Sequence, residues 1–315
     1  MSDTINDDSR MSLSALSARN LANATVTPPQ WDEISPRWLL KLLPWVDVDG
    51  GVYRVNRVKK GVGEPTVDVI TVDTGEIKLP TTFVDYEEHP HEYHLNSIQT
   101  VLQTHTRVTD LYSNAIDQLR EQVRLTVEAV KEREEWELIN HAEVGLLNIV
   151  SPEQTITSRA GTATPDDLDE LLTLVWKKPA FFLANPKAVA AFGRECTRRG
   201  VPPPTITLFG SPFITWRGLP LIPSNKVPID ANGKTSFLLV RVGESQRGIV
   251  GLQKAGVTGE IEPGLSVRYM GTNEFSIASH LVTRYFSLAK LGEDSIARLD
   301  NVAIDFYHNY VYPQA

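Results

Sequence analysis

The longest regular pattern in the chain is helical. Residues 91–144 contain no glycine and no proline, and apolar side chains recur there every three to four residues. That spacing is typical of an amphipathic helix. Ser113-Asn114 offers a weak cap in the middle of the stretch, so the pattern predicts two helices, over about 93–112 and 115–141. The second helix carries a run of charged residues, which we interpret as its solvated face.

Helix and strand signals alternate further along the chain. Thr164 is followed by a proline and two aspartates, which predicts a helix start, and the helix runs to about Lys177. The apolar run Ala180–Ala184 predicts a buried strand, and Asn185-Pro186 begins another helix that ends at Gly200. Strands are then predicted over Phe213–Trp216, Leu219–Pro223, Ser236–Arg241, Gly248–Leu252 and Leu265–Met270, while Ser276–Leu291 mixes both signals and receives no assignment.

The N-terminal part of the chain is polar and then abruptly apolar. Residues 1–30 can bury little apolar area, which predicts a mobile arm. Ser35-Pro36 supplies an N-cap and an N1 proline for a short apolar helix over Arg37–Leu43, which Pro44 stops. Residues 52–58 are predicted to form a strand.

A hairpin is predicted after that strand. The β-prone runs Thr66–Val72 and Glu76–Phe83 are joined by Asp73-Thr74-Gly75. An isolated hairpin is only marginally stable in water, so it either lies on its own domain or pairs with a neighbouring subunit. In the second interpretation the candidate inter-subunit residues are Val67, Val69, Ile77 and Leu79.

Composition and charge exclude several classes of protein. The chain has 315 residues, with 31 Lys and Arg against 39 Asp and Glu, for a net charge of −8. This balance argues against a general binder of the nucleic-acid backbone, which needs a cationic face. The single cysteine excludes an intramolecular disulfide and a cysteine-cluster metal site. Neither a signal-peptide pattern nor a membrane-spanning apolar run is found, so a cytosolic protein is expected.

Catalytic signatures are absent from the sequence. It contains no P-loop, no Rossmann glycine fingerprint, no nucleophile elbow and no His-Glu-x-x-His motif. His89, His91 and His94 could reach one divalent ion, although Pro90 and the predicted helix start favour a polar loop. Cys196 could be activated by nearby arginines, but its place near a helix C-terminus favours a packed thiol.

Two further clusters leave alternatives open. Arg194, Arg198 and Arg199 could hold an anion, or they could cap a helix end and contact a neighbouring subunit. Trp38 and Trp45 could insert into a membrane interface, although packing onto the body of the protein is favoured. The predicted arm, hairpin and very long helix are not self-sufficient elements, which indicates a structural assembly.

The order of these elements resembles the major capsid proteins of tailed phages (Hong Kong 97-type). More specific stretches are similar to the family 2A encapsulins, and the resemblance runs from about residue 19 to 308 without the cyclic-nucleotide-binding insertion of family 2B. The stretches that carry it are Asn20–Thr25, Pro36–Leu40, Tyr53–Val58, Thr82–Tyr86, His105–Val108, Thr164–Trp176, Phe192–Pro203 and the late strand Trp216–Ser224.

The resemblance implies an α+β fold with an N-terminal arm, an extended loop bearing a β-hairpin, a long spine helix, a peripheral domain and an axial domain. The segments it implies are the arm over 1–50, the extended loop over 51–90, the peripheral domain with the spine helix over 91–163, the axial domain over 164–262, and a C-terminal return to the peripheral domain over 263–315.

The resemblance also implies a function. It predicts a non-enzymatic shell protein, with no catalytic or metal-binding residues, that assembles in the bacterial cytoplasm into a closed icosahedral compartment of about sixty copies. The expected cargo is a cysteine desulfurase of sulfur metabolism, which would carry its own pyridoxal phosphate, so no cofactor is expected in the shell. No nucleic-acid partner is expected, and the cargo-binding surface is not indicated. The candidate pore-loop residues are Arg199, Gly200, Val201 and Pro202.

A phage capsid protein that packages DNA shares this fold and is the alternative, because fold alone does not decide function. Acidity favours the protein shell, since a wall that faces packed DNA gains from cationic residues. The nucleic-acid content of purified particles distinguishes the two.

Overall fold

The fold is described from a computed structural model, which covers residues 34–58, 84–105 and 118–307 together with Val67, residues 69–71, Lys78 and residues 80–81. The chain forms two compact units. Unit 1 takes the described parts of Met1–Pro36, Ser97–Glu134 and Gly256–Arg284, and unit 2 takes those of Arg37–Asn96, Glu135–Ala255 and Tyr285–Ala315. Because each unit is built from several stretches, the five-segment division implied by the resemblance stays a prediction.

The elements of the described residues are four α-helices and fifteen strands. The helices are α1 (Trp38–Leu42), α2 (Gln118–Asn140), α3 (Pro165–Leu174) and α4 (Pro186–Arg198). The strands are β1 (Trp45–Asp47), β2 (Val52–Val55), β3 (His91–His94), β4 (Asn96–His105), β5 (Thr155–Thr157), β6 (Phe181–Ala184), β7 (Thr205–Leu208), β8 (Ser211–Trp216), β9 (Leu219–Pro223), β10 (Lys234–Val240), β11 (Ile249–Gln253), β12 (Glu260–Glu262), β13 (Leu265–Thr272), β14 (Ile277–Lys290) and β15 (Ile296–Ala303). Helix α2 and strand β14 contribute residues to both units.

Unit 1 packs one side of a helix on a sheet. Strand β13 pairs antiparallel with the first part of β14. Strand β12 pairs with β13, and β4 pairs with β14. Val127 and Val130 of α2 are buried against Leu265 and Val282 of the sheet. This packing explains the apolar spacing along the helix, since residues three apart lie on one helix face.

Unit 2 is built around a seven-stranded sheet in the order β5-β15-β10-β6-β9-β8-β7. Strand β6 pairs antiparallel with β10 and parallel with β9, and all four of its residues are buried. A central strand that is covered on both faces has a continuous run of apolar residues in its sequence, and β6 has such a run. Phe192 of α4 makes edge-to-face contacts with Trp216 and Phe237 in the core that α3 and α4 share.

The start of α3 confirms the capping pattern of the sequence. The backbone N–H of Asp167 donates to Thr164 Oγ1 at 3.2 Å, and Asp167 Oδ2 accepts from the backbone N–H of Thr164 at 3.0 Å. Two of the N–H groups that a helix start leaves unpaired are satisfied by this reciprocal arrangement.

A second, smaller sheet region of unit 2 joins distant parts of the chain. Strand β1 pairs parallel with β11, and β11 pairs antiparallel with the last part of β14. Trp45 lies opposite Gly251, and a Cβ atom placed on Gly251 would lie 2.7 Å from Cε3 of the Trp45 ring. The indole therefore needs a residue without a side chain at position 251. Strands β2 and β3 form a separate antiparallel pair.

The predicted helix over 93–112 is wrong, because its described part forms β3 and β4. The side chains of β4 alternate between half-buried positions such as Ile98 and Leu102 and exposed ones such as Gln99 and Gln103. Alternation of this kind belongs to a strand, but Val101 on the exposed side gave the sequence the spacing of a helix. The predicted helix over 115–141 is confirmed as α2 for its described residues.

The later strand predictions are confirmed, but other strands were missed. The unassigned stretch Ser276–Leu291 contains the 14-residue strand β14. Strands β1, β5, β7, β12 and β15 were not predicted. Of these, β15 carries polar residues between buried ones and is recognisable only from its pairing with β10 and β5.

We expect Gly251→Ala to destabilise the protein by about 1–3 kcal/mol, because the added methyl group overpacks against a ring that strand pairing holds in place. Urea denaturation followed by circular dichroism measures the change.

Gly193→Ala is the matched control. Gly193 lies inside α4, and a Cβ atom there would lie 3.4 Å from Ile214 Cδ1, an ordinary contact. This variant should gain about 0.5–1 kcal/mol from the higher helix propensity of alanine. Equal effects of the two substitutions would contradict the packing argument.

Candidate functional site

The candidate pore loop is an ordered turn at the end of α4. Arg199 is the C-cap residue, and Gly200 follows with φ +75°. The N–H of Gly200 donates to the carbonyl of Thr197 at 3.0 Å, and the N–H of Val201 donates to that of Cys196 at 2.9 Å. These two bonds form a Schellman motif, in which glycine supplies the left-handed conformation. Arg199, Gly200, Val201 and Pro202 are all exposed.

A buried carboxylate fixes the arginines beside this turn. Glu195 accepts hydrogen bonds from Arg198 (2.6 and 2.8 Å) and from Nε of Arg199 (2.6 Å). The bond from Arg198 is the main cause that lowers the pKa of Glu195, and burial works against it. Arg194 donates to the carbonyls of Ile304 (3.1 Å) and Phe306 (3.3 Å). The arginine cluster therefore holds the helix end and the segment after β15, which favours the capping alternative over an anion site.

Cys196 is not placed for catalysis. Its side chain is fully buried in the core beneath α4. Burial is the main cause that raises the pKa of the thiol to about 12, and the adjacent Glu195 adds to it. Since the thiolate is the nucleophile, the group is inert near neutral pH, as the packed-thiol alternative expects.

The three histidines do not converge on one point. In β3, His91 lies on the same strand face as Tyr93, and the two rings are in edge contact at 4.7 Å. His94 lies on the opposite face with Glu92, 4.0 Å from its carboxylate. Within the part of the chain that the structure describes, no group of three or more His, Cys, Asp or Glu side chains could hold a metal ion.

Trp38 and Trp45 are both used in packing. Trp38 is buried, stacks on Phe209 at 5.7 Å and makes an edge contact with Phe213 at 5.2 Å. Nε1 of Trp45 donates to the carbonyl of Leu40 at 3.0 Å. These contacts support packing onto the body of the protein rather than membrane insertion. Among the described helices, none is long and apolar enough to cross a membrane.

Only part of the candidate hairpin can be compared with the structure. Val67 and Val69 lie in no strand and are 43% and 82% exposed. Ile77 and Leu79 lie outside the described residues, so the hairpin pairing stays a prediction. Val84 and Tyr86 are also exposed. Exposed apolar side chains close together in sequence are typical of a surface that contacts another protein.

The two ends of the extended loop are fastened to unit 2, which the sequence did not indicate. Glu87 N–H donates to the carbonyl of Arg57 at 2.9 Å, and the Arg57 guanidinium lies 3.2 Å from the carboxylate of Glu293. The Tyr93 hydroxyl donates to the carbonyl of Lys290 at 2.5 Å. Arg57 and Glu293 are about two hundred residues apart in the chain, as are Tyr93 and Lys290, so no local pattern could have found these two contacts.

Comparison with known proteins gives relatives along nearly the whole chain. A family model described as "Type 2A encapsulin shell protein SrpI-like" matches residues 53–306. The type 2A encapsulin shell protein SrpI of Synechococcus elongatus is 57% identical over 303 residues, 96% of this chain and 98% of the relative. A type 2A encapsulin shell protein of Mycolicibacterium paratuberculosis is 57% identical over 301 residues, 95% of this chain and 96% of the relative.

Solved structures agree with these relatives. The holo-SrpI encapsulin complex from Synechococcus elongatus PCC 7942, a cryo-electron microscopy structure, matches with a TM-score of 0.82 and 56% identity, over 96% of this chain and 100% of that chain. A chain of Microbacterium phage Oxtober96 has the same fold, with a TM-score of 0.60 at 12% identity over 90% of this chain and 98% of that chain. The α+β capsid fold predicted from the sequence is therefore confirmed. This chain belongs to the type 2A encapsulin shell proteins, a family of structural proteins and not of enzymes.

Proposed function

We propose that this chain assembles with copies of itself into a closed icosahedral shell of about sixty subunits in the bacterial cytoplasm and encloses a cargo enzyme. The observation that carries the proposal is the match over 96% of this chain to a relative solved as a holo-encapsulin complex. The identity of 56% and the TM-score of 0.82 support a similar arrangement of contacts between copies of this chain.

The extended loop is the proposed clamp between subunits. Its described residues include Val67, Val69 and Ile70, which are exposed in the single chain. Both of its ends are anchored in unit 2, so a neighbour that binds the loop gains a firm connection to the subunit that carries it. Burial of such side chains on a second copy would contribute about 25 cal/mol for each Å² of apolar surface removed from water.

We further propose that the cargo is a cysteine desulfurase linked to sulfur metabolism. The support is the resemblance to family 2A encapsulins and the identity to a relative named SrpI. In this proposal pyridoxal phosphate belongs to the enclosed enzyme, and the shell itself binds no cofactor.

The ordered turn of Arg199, Gly200, Val201 and Pro202 is the proposed pore loop. Its Schellman hydrogen bonds and the buried Glu195 beneath it hold the turn in one conformation. A pore of fixed size requires such a rigid lining.

Electron microscopy of the purified protein tests the proposed self-assembly. Closed particles of uniform diameter are expected, and a solitary folded species of 35.1 kDa at high concentration would contradict the proposal.

Deleting residues 62–80 should abolish closed particles while the remaining chain stays folded, because the clamp is lost and the core is not touched. Negative-stain microscopy counts the particles, and circular dichroism with thermal melting reports the fold. A variant in which a Gly-Ser segment of equal length replaces these residues controls for chain length and should also fail to assemble. Normal shells from either variant would show that the loop is not the clamp.

Co-expression with a cysteine desulfurase should give particles that enclose the enzyme. Enclosure is measured by the visible absorbance of pyridoxal phosphate in the shell fraction. A cytosolic pyridoxal-phosphate enzyme of another class, expressed at the same level, is the control and should stay outside. An ultraviolet absorbance ratio typical of DNA in the particles would favour the capsid alternative. Equal enclosure of both enzymes would contradict the proposed cargo.

A further inference from the structure

Unit 2 contains a cavity of about 940 Å³ beside the root of the extended loop. Its walls come from residues 53–58, from the loop 244–247 and from residues 291–294, with Lys177 and Arg241 between them. Charged side chains of both signs line it. The cationic ones are Arg54, Arg57, Lys177, Arg241 and Arg247, and the anionic ones are Glu87, Glu244, Glu293 and Asp294.

Three of the four carboxylates are already engaged by the protein. Asp294 accepts from Arg241 at 2.6 Å and forms an ion pair with Lys177 at 3.0 Å. Glu293 pairs with Arg57 at 3.2 Å and with Lys290 at 2.6 Å, and Glu244 accepts from the Tyr53 hydroxyl at 2.6 Å. These three carboxylates are therefore paired with groups of the protein itself.

The guanidinium donors are less well satisfied. The side chain of Arg241 is 2% exposed, yet its Nε has no hydrogen-bond partner among the described residues, and Nε of Arg57 likewise has none. Arg247 is exposed, and its guanidinium has no hydrogen-bond or ion-pair partner in the part of the chain that the structure describes. A guanidinium that is still unpaired at the edge of the cavity suits a group that brings oxygen acceptors and negative charge.

The backbone holds Arg247 in place at the edge of this cavity. Arg247 has φ +51°, an unfavourable conformation for a residue with a side chain. The loop is closed by bonds from Gly248 N–H to the carbonyl of Gly243 (2.9 Å) and from Ile249 N–H to that of Arg241 (2.7 Å). Gly248 itself has no space for a Cβ atom, which would lie 2.5 Å from the Arg241 carbonyl oxygen. The guanidinium is thus carried on a fixed loop.

The volume of the cavity, the charge of its lining and the exposed surface next to it indicate what binds there. A cavity of this volume is far larger than an inorganic anion and is comparable to the space that an organic molecule or a short peptide segment fills. Trp176, next to Lys177 of the wall, is 69% exposed. Tryptophan is enriched in protein–protein contacts, and its exposure here marks a surface that another chain can cover. A second copy of this chain carries 39 Asp and Glu side chains against 31 Lys and Arg, so it can supply a carboxylate to the donors of the cavity.

We propose that this cavity, which we name the arginine cavity, receives an acidic side chain from a second copy of this chain, with Arg247 as its main partner. The inference rests on the proposed self-assembly and adds to it a specific receptor surface. Occupation pairs the Arg247 guanidinium with a carboxylate only in the assembly, so the contact favours assembled over separate subunits.

Photocrosslinking in cargo-free shells tests the occupant. The probe is p-benzoylphenylalanine in place of Gln246, which lines the cavity and leaves Arg247 intact. Irradiated shells should give a band at twice the 35.1 kDa chain mass, and dissociated subunits of the same variant should not. Shells that form but give no such band would overturn the inference alone, whereas wild-type protein that forms no particles would overturn the proposed function.

Substitutions at Arg247 test whether assembly depends on the positive charge of this residue. Arg247→Ala should raise the subunit concentration needed for assembly at least tenfold, and Arg247→Lys should recover part of the loss. Arg159→Ala is the control, since Arg159 is an exposed arginine outside the cavity that pairs with Glu170, and it should assemble normally. Unchanged assembly of Arg247→Ala would contradict the role of this residue.

Labelling of an introduced cysteine distinguishes a free anion in the cavity from an acidic side chain of a second copy. The only natural cysteine, Cys196, is fully buried, so Gln246→Cys introduces a single accessible thiol. Maleimide should label this thiol at least tenfold faster in dissociated subunits than in shells, whether or not inorganic phosphate is present. Protection of dissociated subunits by phosphate, with rapid labelling of phosphate-free shells, would assign the cavity to a small anion and overturn the inference.

Discussion

Burial of the central strands of the seven-stranded sheet is the interaction on which the rest of unit 2 depends. Every residue of β6 is buried, and its neighbour β10 is buried along most of its length. The helices α3 and α4 pack on this sheet around Phe192, and the hydrophobic free energy of such a core outweighs the entropy lost in ordering its connections. Because this core is complete within one chain, the protein can leave other apolar side chains exposed for contact with copies of itself.

Charged groups fix the surface elements that this core does not reach. Glu195 holds two arginines at the end of α4, and Glu293 with Lys290 holds the root of the extended loop. Partly buried ion pairs of this kind add little net stability, but each one specifies a single arrangement of the segments that it joins. For a shell protein that specificity matters more than stability, since small errors in the direction of a contact accumulate around a closed particle.

The histidine, cysteine and tryptophan clusters show why candidate chemistry needs a fold to be judged. His91 and His94 are close in sequence, but strand geometry directs them to opposite faces. Cys196 lies among arginines in sequence, but its thiol points into the core, where burial raises its pKa to about 12. In each case the neighbours along the chain differ from the neighbours in space, and the latter determine reactivity.

The sequence by itself determined the helix–strand–helix order over 164–200, the capping residues Thr164 and Asn185 and the family, because each depends on residues that are adjacent in the chain or on similarity along it. The cap predicted at Ser35 is wrong, because α1 begins after Arg37, and Ser35 Oγ donates to the carboxylate of Glu132 instead. The sequence wrongly predicted a helix at β4, because the exposed Val101 completes a helical spacing of apolar residues. It did not predict β15, which is recognised as a strand from its pairing with β10 and β5. The arginine cavity and the anchors of the extended loop were decided by tertiary structure alone. Arg57 meets Glu293, and Arg241 meets Asp294, only after strands from distant parts of the chain have paired, and no local rule of periodicity or capping carries information over that separation.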